Sequence, residues 1–317
     1  MKSFRKGGAL VALAGVTLGW MSMVAEAAEC DRQCLIGVTD QYLAALVAGN
    51  PAAVPLASTI RMAENAKIIQ PGEGFWKDAS GGPTEFRIYV PDPVSRQAGF
   101  IGMMKGEGGA PVQIALRLKL DDAGKISEAE QLVIRTVREV SLRNLQTVRP
   151  GLLEIIPEGQ RMEREKLLAI GATYYDAVDN NRGADAPFAD ACVRHENGLR
   201  TTGNPVRPND PSSIPGSLGC AAQLDTNIMA YIGPIERRDV TIADPVTGLA
   251  MGWSIIRHPM LEKTYRVFNV PGYEKRTLDY EPFDNFAAHV FKVRNGQIYE
   301  IEAVGYVGAG ANLPSPF

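Results

Sequence analysis

Two stretches of the chain alternate apolar and polar residues and then repeat that alternation after a tight turn. Val112–Leu120 and Ile126–Arg135 flank a turn at Asp121–Lys125, and the spacing predicts a long β-hairpin there. Phe286–Arg294 and Gln297–Tyr306 flank Asn295-Gly296, the strongest short-range hairpin signal. Each hairpin is preceded by a segment that reads as helical. Tyr42–Asn65 and Tyr174–Asn197 both read as one helix followed by an Ala-rich second helix opened by a proline, Pro55 or Pro187. The segments share a constant offset of 132. Tyr42 falls on Tyr174, Ala45 on Ala177, Ala57 on Ala189, Glu64 on Glu196 and Asn65 on Asn197. Around the hairpin turns, Gly124 falls on Gly296 at an offset of 172, so the second copy carries 172 − 132 = 40 extra residues. They are expected in two long loops, Thr202–Gly219 and His258–Asp284.

The N-terminus reads differently from the rest. Lys2, Arg5 and Lys6 precede an uncharged stretch, Gly7–Ala25, and Ala25-Glu26-Ala27 has the small-x-small form of a cleavage site. The expected layout is a signal peptide at 1–27 and a first domain at 28–145. A linker at 146–164 and a second domain at 165–317 follow, the mature chain being periplasmic or secreted. Glu29 before Cys30 argues against lipid attachment. Export makes the even count of four cysteines suggestive of disulfides. Three pairings are open, and Cys192–Cys220 is favoured because these residues flank a Pro- and Asn-rich loop. Zinc is not expected, since no Cys-x-x-Cys pair exists. The 317 residues are 45% hydrophobic and 22% charged, an ordinary globular balance. Net charge is −3, with no basic run, so nucleic acid is not an expected partner. No second long apolar stretch predicts a membrane span in the mature chain.

Helices followed by alternating strands that end in a long hairpin resemble the NTF2-like (SnoaL/ketosteroid-isomerase-like) superfamily. The residues that carry the likeness are Tyr174-Tyr175-Asp176-Ala177, Pro187–Gly198, Ala288–Val293 and Ile298–Glu302. Cys220–Leu224, read as a strand, resembles secreted members. The resemblance implies an α+β fold of two tandem cones, each with N-terminal helices packed on a curved antiparallel sheet. The superfamily hosts isomerases, dehydratases, aldol-type lyases and non-catalytic binders, so it speaks to fold more than to chemistry.

Most catalytic signatures are absent. There is no Walker loop, no Gly-x-Gly-x-x-Gly, no Gly-x-Ser-x-Gly and no second histidine after His195-Glu196. Lys105–Gly109 reads as a hairpin loop. All three histidines, His195, His258 and His289, lie in the second copy, and histidine suits proton transfer near neutrality. His195 aligns with Ala63 and Arg194 with Met62, so the first copy reads as structural. The expected catalytic set is His195 with His258 or Glu302 as counterpart. Arg194, Tyr174, Tyr175, Glu196, Asn197, Gln223, Trp253 and His289 are the expected substrate contacts. No metal and no cofactor are expected, and oligomerisation is left open. The reading is an exported, cofactor-independent enzyme that dehydrates, isomerises or cleaves a small hydrophobic or aromatic molecule. The alternative is a non-catalytic binding or envelope protein using the same pocket.

Overall fold

The computed structural model describes residues 1–2, 30–203, 218–308 and 310–317. The expected signal peptide, apart from its first two residues, and most of the 202–219 insertion lie outside the described residues.

The chain folds into two α+β units of the same plan. The first begins with α1 (Arg32–Val47), whose buried positions Leu35, Thr39, Tyr42, Leu43 and Leu46 follow helical spacing. Its N-cap Asp31 accepts a hydrogen bond from the Cys34 amide. The strands are β1 (Leu56–Glu64), β2 (Lys67–Ile69), β3 (Arg87–Asp92), β4 (Gln97–Lys105), β5 (Pro111–Leu120) and β6 (Ile126–Ile134). They form one six-stranded sheet ordered β2-β1-β6-β5-β4-β3. Two short helices, α2 (Glu139–Leu142) and α3 (Pro150–Leu153), lead to α4 (Arg164–Asp179), the counterpart of α1. The second unit continues with β7 (Phe188–Glu196), β8 (Leu199–Arg200), α5 (Cys220–Leu224), β9 (Ile235–Asp244) and β10 (Leu249–His258). A small hairpin, β11 (Thr264–Arg266) and β12 (Lys275–Thr277), precedes β13 (Phe283–Arg294) and β14 (Gln297–Val307). The second sheet runs β8-β7-β14-β13-β10-β9, the same order as the first. The architecture is therefore α+β, two helix-on-sheet units in tandem.

Equivalent positions make equivalent bonds. Asn65 and Asn197 both have positive φ, 50° and 46°, and each opens a two-residue turn into a short strand. The Asn65 amide exchanges hydrogen bonds with the Val133 backbone, and the Asn197 amide does the same with Gly305.

Three expectations are corrected. The Ala-rich segments after Pro55 and Pro187 are strands β1 and β7, not helices. Alanine's helix propensity is a weak prior, and pairing of both segments with the last long strand of their sheet overrides it. Cys220–Leu224 is a short helix rather than a strand. The 258–284 insertion is not wholly loop, since it holds the small hairpin.

Each sheet has a helix on one face. The opposite faces pack on one another, with Ile88, Ile101 and Leu132 of the first meeting Met251, Trp253 and Val290 of the second in one core. Double burial explains why β4 and β10 read as continuous apolar runs instead of alternating ones. Reciprocal ion pairs bracket the contact. Arg32, first residue of α1, reaches Asp244 at the end of β9 at 3.0 Å. Arg164, first residue of α4, reaches Asp92 at the end of β3 at 2.8 Å.

Candidate binding cavity in the second unit

The helix-facing side of the second sheet holds a cavity of about 120 Å³. About 10–15 Å³ suffices for one water, so this space suits a small molecule. It exists because the floor is built from small residues. Pairing across β13, β14 and β7 sets His289, Ala303 and Glu196 side by side, with Ala287 opposite Gly305 in the next row. In the first sheet the same rows are Leu116, Gln131 and Glu64, then Ile114 and Val133. There Gln131 donates to Glu64 at 2.8 Å and receives the Tyr42 hydroxyl at 3.3 Å. Phe75 and Trp76 complete the filling of that core. The first unit is thus packed solid where the second is open.

Strand alternation decides which expected residues reach the cavity. On β10 Ile256 and His258 face inward, while Trp253 faces the opposite sheet. On β13 Asn285, Ala287 and His289 face inward. Tyr174 of α4 and Tyr231 supply aromatic walls, and Glu196 and Asn197 stand at one edge.

Both cavity histidines are held neutral. Burial pushes His258 down to about 4, despite the backbone hydrogen bond at Ile256. Its Nδ1 lies 3.0 Å from the Ile256 carbonyl, which only accepts, so the ring proton sits on Nδ1 and Nε2 is an acceptor. The ring stacks on Phe283 with centroids 4.1 Å apart. His289 is pushed down to about 3, first by burial and then by the positive charge of Arg194. Its Nδ1 lies 3.3 Å from the Tyr175 hydroxyl, and burial keeps that phenol protonated. Where the phenol donates, the His289 proton sits on Nε2; where it accepts, the proton sits on Nδ1. Burial likewise pushes Tyr174 up to about 12.

Arg194 is fully buried beneath this edge rather than exposed to a substrate. Its Nη2 donates to Gln223 at 2.6 Å, and its Nε donates to Thr201 at 2.9 Å and lies 3.0 Å from Glu196. Gln223 and Tyr175 therefore act behind the wall, one holding Arg194 and the other holding His289. The Cys192–Cys220 disulfide ties β7 to the helix that carries Gln223, and a second bridge joins Cys30 to Cys34.

His195 and Glu302 lie elsewhere. Both belong to the outward-facing set of their strands, opposite Arg194 and Ile301. There Arg149, from the segment between the units, donates to Glu302 at 2.6 Å, to Glu300 at 2.5 Å and to His195 Nδ1. A guanidinium only donates, so Nδ1 of His195 is an acceptor tied to structure. His195 and Glu302 thus stand together away from the cavity, with His195 lining a separate pocket alongside Arg149, Val193 and Arg200. Reading Phe188–Val193 as helical hid the alternation that turns His195 away from Arg194 and Glu196.

Sequence reasoning also passed over Asn285, Ala303, Gly305 and Arg149. Counting by twos from His289 finds Asn285, and alanine or glycine inside a strand marks where packing is relieved. Arg149 carries no such mark. Among the described residues no helix is long and apolar enough to cross a membrane, and no group of three or more His, Cys, Asp or Glu is arranged to hold a metal.

Comparison with known proteins places the chain as follows. A family model described as "Domain of unknown function (DUF8021)" matches residues 160–305, which takes in the cavity lining except Val307. No curated protein matches the chain. Among solved structures it is similar to a candidate polyketide cyclase from Silicibacter sp. TM1040, at 13% identity over 47% of this chain and 93% of that one, TM-score 0.29. It is similar also to PrhC from Penicillium brasilianum, at 10% identity over 45% and 82%, TM-score 0.28. IdmH from Streptomyces antibioticus, named a polyketide cyclase candidate, is similar at 15% identity over 44% and 91%, TM-score 0.27.

Proposed function

We propose that the second unit is a cofactor-independent acid–base enzyme acting on a small organic molecule, and that the first unit is structural. The observation that carries the reading is the row His289–Ala303–Glu196. A carboxylate and a neutral imidazole stand two strands apart, about 10 Å by strand spacing, with only a methyl group between them. Glu196 takes a proton from the carbon beside a carbonyl. The electron pair moves onto the carbonyl oxygen, which accepts hydrogen bonds from the Tyr174 hydroxyl and, with Tyr175 donating to Nδ1, from the His289 Nε2–H. A neutral donor suits this role, because it stabilises the oxyanion without surrendering its own proton. Returning the proton at another carbon isomerises the substrate; delivering it instead to a departing β-hydroxyl releases water as the enolate electrons form the carbon–carbon double bond.

The test is solvent exchange. In D2O, the α-hydrogens of cyclohexanone and 2-hydroxyacetophenone are followed by NMR with and without protein. Exchange above buffer, lost about 10²-fold in Glu196→Gln, is the expected result. Binding without exchange would favour the second reading, a non-catalytic binding module. The Arg194–Glu196 ion pair supports that alternative, since it occupies the carboxylate. We propose further that the chain is exported to the periplasm or beyond. Its two disulfides and complete lack of free cysteine suit an oxidising compartment.

A further inference from the structure

We propose that the cavity of the second unit selects an uncharged, hydroxyl-bearing ring molecule over its carboxylate and ammonium counterparts. The inference rests on the acid–base reading of the same site and deepens it. Among the described residues no lysine or arginine lines the cavity. An incoming carboxylate would find no free cation in the described lining, and the Arg194 behind it already holds Gln223, Thr201 and Glu196. An ammonium would find one carboxylate whose charge Arg194 already offsets at 3.0 Å.

What the walls do offer are neutral acceptors. His258 presents Nε2 on the edge left after Nδ1 bonds Ile256. The side-chain oxygen of Asn285 has no hydrogen-bond partner among the described residues, and Gly305 packs so close that a Cβ there would come within 2.8 Å of it. A buried acceptor without a donor is unfavourable, and an occupant that brings a hydroxyl supplies the missing donor. The rest of the wall is aliphatic and aromatic, including Tyr174, Tyr231 and Ile256, which suits a ring.

Three near-isosteric probes test the claim at pH 7: benzyl alcohol, benzoate and benzylammonium. Binding is followed by NMR titration of the histidine ring signals. Benzyl alcohol should bind at least 10-fold more tightly than either ion. Asn285→Leu should weaken it about 5-fold or more, and Ala303→Gln, which rebuilds the wall of the first sheet, should abolish it. Equal or tighter binding of either ion overturns the proposal. So does failure of benzyl alcohol to bind the wild-type protein, or undiminished binding in Ala303→Gln. None of these readouts involves turnover, so the acid–base reading stands or falls separately on exchange in Glu196→Gln.

Discussion

Glu64 and Glu196 end equivalent strands at the same register, yet one is enclosed by its surroundings and the other is partly exposed. Glu64 receives the Phe75 amide at 2.7 Å, the Gln131 side chain at 2.8 Å and Arg135 at 3.1 Å. Glu196, among the described residues, meets the Arg194 guanidinium, and 44% of its side chain is exposed. Substitution by glutamine should therefore separate them. Glu64→Gln places an amide where two donors converge and should cost about 1–3 kcal/mol of stability, read by urea unfolding. Glu196→Gln should leave the unfolding midpoint nearly unchanged while removing exchange activity. Equal stability losses in the two variants would contradict the division between a packed and an open unit.

The Arg149 cluster predicts a stability effect with no effect on the cavity. Glu302 is fully buried, and Arg149→Met would leave it without its guanidinium. Removing one partner of a buried pair costs about 3–5 kcal/mol. His195→Ala should be milder, and both variants should bind benzyl alcohol as the wild type does once folded. A specific loss of turnover in His195→Ala, with unfolding unchanged, would return that residue to the active site.

Acid should destabilise the second unit in a defined window. His258 and His289 titrate near 4 and 3 in the folded chain but near 6.5 when unfolded. Below 6.5 the unfolded state binds protons that the folded state refuses. Stability therefore falls as pH drops from about 6.5 and levels off below the folded values. The His258 contribution is on the order of 3 kcal/mol by that linkage. Unfolding followed from pH 8 to 4 in the wild type and in His258→Phe should show a shallower acid limb in the variant.

Thiol chemistry gives a fourth check. All four cysteines are paired, so denatured, unreduced protein should label at none of them. Cys192 and Cys220 are 28 residues apart in sequence. Cys192→Ala with Cys220→Ala should cost about 2–4 kcal/mol by loop closure. It should also loosen Gln223 and hence Arg194, weakening benzyl alcohol binding, whereas loss of the Cys30–Cys34 bridge should leave binding unchanged.

Much of the fold was legible in the chain. Alternation placed both long hairpins within three residues at every end, and the 132-residue offset fits α1 and α4, β1 and β7, residue for residue. The site was less legible, for a local reason. Asn197-Gly198 is the same turn signal that located Asn295-Gly296, and it would have shown β7 to be a strand. Alanines at 189 and 191 outweighed it. Taken as a loop, residues 194–197 grouped His195 with Arg194, although a strand sends neighbours to opposite sides. The direction of His289 could not be read from its neighbours alone, because both faces of β13 are buried. Only the partner across each face, α4 on one and the first sheet on the other, distinguishes them.

The docking of the two sheets, bracketed by Arg32–Asp244 and Arg164–Asp92, has a consequence for how the cavity could arise. When such faces associate between separate identical chains, assembly depends on concentration and every substitution appears on both sides at once. Here the two halves are joined by a short covalent path, so their encounter is intramolecular and insensitive to dilution. Covalent joining also lets the halves differ. Gln131 can fill one floor while Ala303 vacates the other, so one half supplies rigidity and its neighbour is released to keep a hollow that would otherwise weaken both.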